Sequence, residues 1–262
     1  MRGKHVVVTG GATGIGEQTC ELLAAAGAQV TILDVRQPRA GLGRFVALDL
    51  SRPEAIAQAV ASVDGPVHAL CNVAGLPPRA GMATQVLRVN FLGLRDFTRR
   101  LIPQMEQDGA IVNVGSRAGA RWRENLDQVR ALLACDWRDD LEQFIDLHQI
   151  DDTRAFDLSK EAVIVWSMAC TQPLLAHGLR MNSISPGAVS TGILDDFMAA
   201  FGDHARRNVA RVGRPATALE VAESIVFLIS PQSAWLRGID LVIDGGISAC
   251  SVAELLKLES GL

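Results

Sequence analysis

Thr9-Gly10-Gly11-Ala12-Thr13-Gly14-Ile15-Gly16 follows the β-branched run His5-Val6-Val7-Val8 and leads straight into an amphipathic segment over 15–26. Glycines at a strand-to-helix turn let the backbone approach a pyrophosphate. The anion then rests on the free N–H groups and positive dipole end of the helix. A tight turn without a ligand is the competing reading of one glycine-rich stretch. Position argues against it, because the turn joins the first strand of the chain to its first helix. The next apolar run, 29–34, ends at Asp34, eighteen residues beyond Gly16. A carboxylate there hydrogen-bonds a ribose 2′-hydroxyl and repels a 2′-phosphate, so the expected cofactor is NAD rather than NADP. Arg36, two residues on, softens that preference.

Outward from the turn, short β-branched runs alternate with longer helical patterns. Strands are expected over 5–9, 29–34, 44–48, 67–72, 110–114, 180–185 and 240–243, and helices over 15–26, 53–63, 84–107, 153–177 and 218–229. Such alternation with apolar strands implies a parallel sheet covered on both faces, in a single α/β domain over 1–262. Residues 121–152 break the alternation. Their helical spacing (Leu126, Val129, Leu132, Leu133, then Leu141, Phe144, Ile145) predicts an inserted helical hairpin. Its Trp122 and Trp137 either line a substrate pocket or pack the hairpin down.

Composition excludes several classes. The 262 residues are 48% hydrophobic and 21% charged, with a net charge of −4, which argues against disorder and against a nucleic-acid binder. Five scattered cysteines without a C-x-x-C fit reduced thiols in the cytoplasm, and no pair of histidines has metal-ligand spacing, so no metal is expected. The start, MRGKHVVVTGG, is not read as a signal peptide, and no apolar run is long enough to span a membrane. Lysines number three, against 22 arginines, and there is no tyrosine.

The turn resembles the T-G-x-x-x-G-x-G motif of the short-chain dehydrogenase/reductase family, and further matches follow in order along nearly the whole chain. Asp49 with Leu50 is similar to the family's adenine-contacting acid and its neighbour, and Asn72-Val73-Ala74-Gly75 to its N-x-A-G signature. Asn90 matches the helix asparagine that shapes a proton-relay water site, and Ser116 the catalytic serine. Pro186-Gly187 with Val189 and Thr191 resembles the loop that grips the nicotinamide carboxamide, and Ile243-Asp244-Gly245-Gly246 the last strand and its turn. The resemblance implies a Rossmann-like, doubly wound parallel sheet of seven strands. It also implies cofactor contacts from Gly10, Thr13, Gly14, Ile15, Gly16, Asp34, Asp49, Leu50, Asn72, Ala74, Gly75, Lys160, Pro186, Gly187, Val189 and Thr191. Forty residues separate Ser116 from Phe156, a longer interval than most members have. The insertion is similar to that of bacterial hydroxysteroid dehydrogenase/carbonyl reductases and coniferyl-alcohol dehydrogenases. Substrates of that branch are small hydrophobic alcohols and carbonyls, for which Ser116, Trp122 and Met198 are the candidate contacts.

The pattern breaks at one place. The family's Y-x-x-x-K acid/base motif reads Phe156-Asp157-Leu158-Ser159-Lys160. Residues 156 and 160 share a helix face, a spacing at which an ammonium lowers a phenol's pKa and binds the cofactor ribose. Lys160 is present, but phenylalanine exchanges no proton, so a folded NAD-binding protein of weak or no turnover is expected. Three readings stay open: a dehydrogenase variant in which tyrosine became Phe156, a non-catalytic NAD-binding sensor or scaffold, and a non-redox isomerase or cyclase using Ser116 and Lys160.

In relatives the helices matching 84–107 and 153–177 pair between subunits, so the resemblance implies a homodimer or homotetramer, with the hairpin favouring a dimer. Residues 190–204 are read as a lid over the substrate, and the tail after Gly246 as packing on a neighbouring subunit.

Overall fold

The computed structural model describes residues 1–258. Seven strands form one parallel sheet: β1 (His5–Thr9), β2 (Gln29–Asp34), β3 (Arg44–Ala47), β4 (Val67–Asn72), β5 (Met105–Val114), β6 (Arg180–Pro186) and β9 (Asp240–Ile243). A two-stranded ribbon, β7 (Val189–Ser190) with β8 (Ala216–Thr217), lies apart from it. The sheet order is β3-β2-β1-β4-β5-β6-β9, so strand order reverses between β1 and β4. Ligands of open α/β sheets bind beyond the carboxyl ends of the strands at such a reversal.

The period-two alternation of side chains splits each strand between two cores. Val6 and Val8 of β1 join Cys20, Leu23, Ile225 and Leu228 on one face, beneath α1 (Gly14–Ala25) and α10 (Ala218–Ile229). Val7 joins Leu70, Ile111, Phe97 and Val163 on the other, beneath α2 (Pro53–Ala61), α4 (Leu94–Leu101) and α7 (Asp152–Ala169). The expected doubly wound α/β architecture is therefore present.

Two expected helices are interrupted. The segment 84–107 runs as α3 (Ala83–Leu87), a π-helical turn (Arg88–Gly93), α4 and a 3-10 turn (Ile102–Gln104) that carries Pro103 and passes into β5. At Gly93 a β-carbon would collide with the Leu50 carbonyl, which is why the helix can pass so close to the end of β3. The segment 153–177 divides at Cys170 into α7 and α8 (Thr171–Ala176).

The inserted hairpin is present as α5 (Leu126–Ala134) and α6 (Leu141–Leu147), the latter capped by Asp140 through the amides of Glu142 and Gln143 at 2.9 and 3.1 Å. Buried Arg95 of α4 donates to the Leu133 carbonyl at 2.8 Å and to that of Cys135, and the Trp137 indole N–H donates to Asp96 at 3.1 Å. On the α7 side, Arg154 pairs with buried Glu161 at 2.5 Å, and Asn125 donates to Glu161 at 2.7 Å. Leu94, Phe97 and Leu101 of α4, with Val163, Ile164 and Trp166 of α7, are buried inside the subunit. The faces expected to pair between subunits are thus largely covered by the chain itself. The described part of the tail forms α11 (Ile247–Leu255), and residues 259–262 lie outside the described residues.

Candidate active site

The turn after β1 is built for a close backbone approach. A β-carbon on Gly10, whose φ is +70°, would lie 2.6 Å from the Ala74 Cα, and one on Gly16 would strike the Gly10 carbonyl. The Thr9 hydroxyl accepts the amides of Val73 at 3.2 Å and Ala74 at 3.4 Å, fastening the two strand ends together. Thr13 caps α1 in extended conformation without a side-chain bond to the helix, which leaves the first-turn N–H groups of Gly14, Ile15 and Gly16 without a capping side chain. Gly14 lies under Thr191, whose Cγ2 would be 3.3 Å from an added β-carbon.

At the end of β2, both oxygens of Asp34 are oriented by backbone amides, Ala12 at 3.0 Å and Arg36 at 3.0 Å. The nearby Arg39 is occupied by Glu21, with Glu17 at 4.0 Å. Asp49 accepts the amide and hydroxyl of Ser51 at 2.9 and 2.6 Å, and the Leu50 side chain is buried beside it. Asn72 is not part of the cleft wall. It is 1% exposed and donates to Thr98 and Asn113, each at 2.8 Å, tying β4 to α4 and β5. Its Oδ1 is buried without a hydrogen-bond partner among the described residues.

A cavity of about 420 Å³ opens past this turn, a volume suited to a small-molecule ligand. From the expected set, its wall includes Ile15, Gly75, Ser116, Phe156, Lys160, Pro186, Gly187, Val189, Thr191 and Met198. Trp122 is not in that wall. It lies half-buried against the core with the Arg123 guanidinium 4.1 Å from its ring. Both hairpin tryptophans therefore pack the insertion down, the second of the two roles left open for them.

Ser116 and Lys160 line the inner end, and Asn90 lies behind it, its Oδ1 and the Lys160 ammonium 3.4 and 3.5 Å from where a Gly75 β-carbon would stand. Asn90 sits in the π-helical turn, fully buried, where its Oδ1 accepts the Leu76 amide at 2.7 Å and its Nδ2 donates to the Leu76 carbonyl at 3.0 Å and Ser159 at 3.3 Å. An extra residue in a helical turn re-aims side chains, and such turns are frequent at functional sites. Ser116 caps the 3-10 turn Arg117–Arg121, its hydroxyl oxygen accepting the Ala118 amide at 3.1 Å. That leaves its O–H free to donate into the cleft. Lys160 is 6% exposed and donates to the Val114 carbonyl at 2.9 Å. Burial without a counter-ion lowers its pKa from 10.5 to about 8.

Phe156, 2% exposed, lies one turn before Lys160 on α7. Its outer side meets two rings of α9 (Leu194–Val212): Phe197 edge-on with centroids 5.2 Å apart, and Phe201 at 6.3 Å. The helix breaks at Gly202, whose φ of 53° and ψ of −134° no helical residue adopts, and His204 and Asn208 beyond the break also line the cavity. The residues read as a lid are therefore already packed on the cleft. Arg79, from the loop after β4, grips Asp196 of α9 with two hydrogen bonds of 3.0 and 2.8 Å. Motif reading alone missed Asp157, Arg117, Arg121, His204 and Asn208. The one signal for Asp157 was a carboxylate directly after Phe156, within the Phe156–Lys160 motif.

Among the described residues no group of three His, Cys, Asp or Glu side chains is placed to hold a metal ion, and no helix is long and apolar enough to cross a membrane.

The chain matches known proteins along nearly its full length. The sequence profile of short chain dehydrogenases matches residues 4–126, and that of enoyl-(acyl carrier protein) reductases matches residues 145–248. The coniferyl-alcohol dehydrogenase of Pseudomonas sp. (strain HR199 / DSM 7063) is 35% identical over 254 residues, covering 96% of this chain and 99% of that one. The 3-alpha-hydroxysteroid dehydrogenase/carbonyl reductase of Comamonas testosteroni is 29% identical over 253 residues, covering 93% and 96%. Among solved structures, the 3-alpha-hydroxysteroid dehydrogenase from Pseudomonas sp. B-0831 complexed with NADH superposes with a TM-score of 0.84 at 33% identity, over 96% of this chain and 99% of that one. With the glycine cradle at the sheet reversal and the Asn90, Ser116 and Lys160 cluster beside it, the chain belongs to the short-chain dehydrogenase/reductase family of oxidoreductases.

Proposed function

We propose that this protein binds NAD(H) and acts on a hydrophobic aromatic or alicyclic alcohol and its carbonyl, with turnover impaired because Phe156 occupies the acid/base position. The observation that carries this reading is the placing of Phe156 one turn from buried Lys160, in one cavity wall with Ser116. A dinucleotide fits the turn because Gly10 and Gly16 pack its backbone tightly on Ala74 and on itself, and the first-turn N–H groups of α1 beyond it carry no capping side chain in the place a pyrophosphate would take. The orientation of the Asp34 carboxylate by two amides supports NAD over its 2′-phosphorylated form.

When bound, the nicotinamide supplies the hydride acceptor or donor. Ser116 donates its O–H to the substrate oxygen. Lys160 keeps one N–H on Val114 and turns the other two toward ribose hydroxyls. Asn90 holds the Leu76 backbone and so fixes the wall opposite α7. Phe156, Phe197, Phe201 and Met198 provide apolar faces for the substrate body. No residue of this set supplies a phenol to take up the hydroxyl proton during oxidation. A positioned acid/base contributes about 10²–10⁴-fold to such a step, which sets the size of the expected deficit.

Five free cysteines support a cytoplasmic setting. A homo-oligomer remains part of the reading. Exposed apolar side chains include Phe227 of α10, Trp235, Val242 on the edge strand β9, and Val252 and Leu255 of α11. The cofactor assignment is tested by titrating the chain with NADH and NADPH under fluorescence detection. Tighter binding of NADH, with the preference reduced in Asp34→Ala, is expected. Equal affinities, unchanged by that substitution, would remove Asp34 from the cofactor site.

A further inference from the structure

Arg117 stands in the cavity wall beside Ser116, and its guanidinium is not spent inside the protein. Its Nε is buried without a hydrogen-bond partner among the described residues. The Asp244 carboxylate lies 3.7 Å from that nitrogen, too far for a hydrogen bond. Asp244 is also occupied already, accepting the Gly246 amide at 3.0 Å, the Ser248 amide at 2.8 Å and the Ser248 hydroxyl at 2.5 Å. Asp157, the carboxyl of the same wall, has its principal charged neighbours in Arg154, Glu161, Asp151 and Arg121 instead. The wall thus sets Arg117, Arg121 and Lys160 against one carboxyl, in a chain whose net charge is −4. Of these cations, Arg121 is held by Glu124 at 2.6 Å and Lys160 by the Val114 carbonyl at 2.9 Å.

The place of Arg117 in the sheet points away from the dinucleotide phosphates. It follows β5 and turns toward Asp244 beyond β9, whereas the glycine turn follows β1. Strand β4 lies between β1 and β5, and β6 lies between β5 and β9, so Arg117 extends away from the turn. Asp244 backs Gly187, where an added β-carbon would lie 3.1 Å from the Asp244 Cα. That is the end of the cleft read above as holding the nicotinamide and the substrate.

Resting on the reading of the cleft as an alcohol site, we infer that Arg117 binds a carboxylate carried by the substrate. The substrate class is then a hydroxy acid built on an apolar ring, rather than a neutral alcohol. Ser116 donates to the reacting oxygen, the ring lies against Phe197, Phe201 and Met198, and the carboxylate accepts from the Arg117 Nη groups. The side chain is 24% exposed, which leaves room for that approach. A planar guanidinium matches a carboxylate with two parallel N–H donors, and apolar surroundings strengthen such a bond relative to water.

The test is calorimetric titration of the full chain, with and without saturating NAD⁺, using three pairs that differ only in charge. These are 4-(hydroxymethyl)benzoate, 3-(4-hydroxymethylphenyl)propanoate and 4-(hydroxymethyl)cyclohexanecarboxylate, each against its carboxamide. In at least one pair the acid is expected to bind about tenfold more tightly. Arg117→Met should bring that ratio to about one or below while sparing the amide. Arg117→Lys keeps the charge and loses the paired donors, so it should lower the ratio about threefold. Thermal melts report folding, and the lysine variant decides the matter if the methionine variant does not fold. NADH titration separates the substrate carboxylate from the cofactor phosphates, because NADH affinity should be unchanged in Arg117→Met. No preference for the acid in any pair, a ratio unchanged by the substitutions, or a loss confined to NADH would overturn the assignment. Because the readout is binding, failure of the redox reading leaves this ratio unaffected, and failure of the ratio leaves the redox reading untouched.

Discussion

The Lys160 ammonium lies 5.7 Å from the centroid of the Phe156 ring, one turn apart on α7, and donates its hydrogen bond to the Val114 carbonyl rather than to any carboxylate. A cation at this distance gains a modest attraction from the ring face, but a benzene ring gives it no oxygen to polarise. The lysine is therefore held where a phenol oxygen would profit from it, beside a group that cannot respond.

That arrangement sets a pH dependence. A folded pKa of about 8 against an ordinary 10.5 means that the native state carries the penalty of a buried cation at neutral pH. The unfolded chain binds more protons than the native one between those values, so this contribution to stability rises as pH goes from 8 to 10.5. Relative to Lys160→Met, the unaltered chain should gain roughly 3 kcal/mol across that window. Chemical denaturation at a series of pH values measures it, and parallel curves for the two proteins would contradict the burial argument.

Asn90→Ala should cost stability as well as function. The change strips both hydrogen bonds from the Leu76 backbone and one from Ser159 inside a fully buried turn. Unpaired buried groups of this kind cost roughly 2 kcal/mol in all. Urea unfolding reads the loss, and a change below about 0.5 kcal/mol would show that water replaces the amide at no cost.

Oligomer formation should depend on the exposed apolar side chains and not on α4. Light scattering after size exclusion is expected to give a dimer or tetramer, and Trp235→Asp, at a residue 89% exposed, should shift the population toward the 28.0 kDa monomer without unfolding it. A monomer at every concentration would reject association altogether.

Much of this was legible beforehand, and the exceptions share a cause. The glycine turn, the strand runs and the 156–160 spacing are local signals, because each depends on residues a few positions apart. The surroundings of Asn72, Trp122 and Asp157 depend instead on what distant segments bring against them. Asn72 is placed by a local motif, but the partners of its amide, Thr98 and Asn113, come from distant segments. Trp122 and Trp137 offered two roles until the core, Arg123 and Asp96 filled their surroundings. The 84–107 helix ends in a 3-10 turn at Pro103, a local breaker, whereas the approach of Gly93 in the π-helical turn to the Leu50 backbone joins residues far apart in sequence.

The most direct test of the central claim places a phenol at position 156. Phe156→Tyr adds one oxygen to a ring already held by Lys160, Phe197 and Phe201, so the fold should not change. NADH formation is followed with a panel of aromatic and alicyclic alcohols, for the unaltered chain and the variant at equal cofactor saturation. A rise of about 10²-fold or more with at least one alcohol is the expected result. A tyrosine variant that binds NAD⁺ yet oxidises none of the alcohols faster than the unaltered chain would contradict the account.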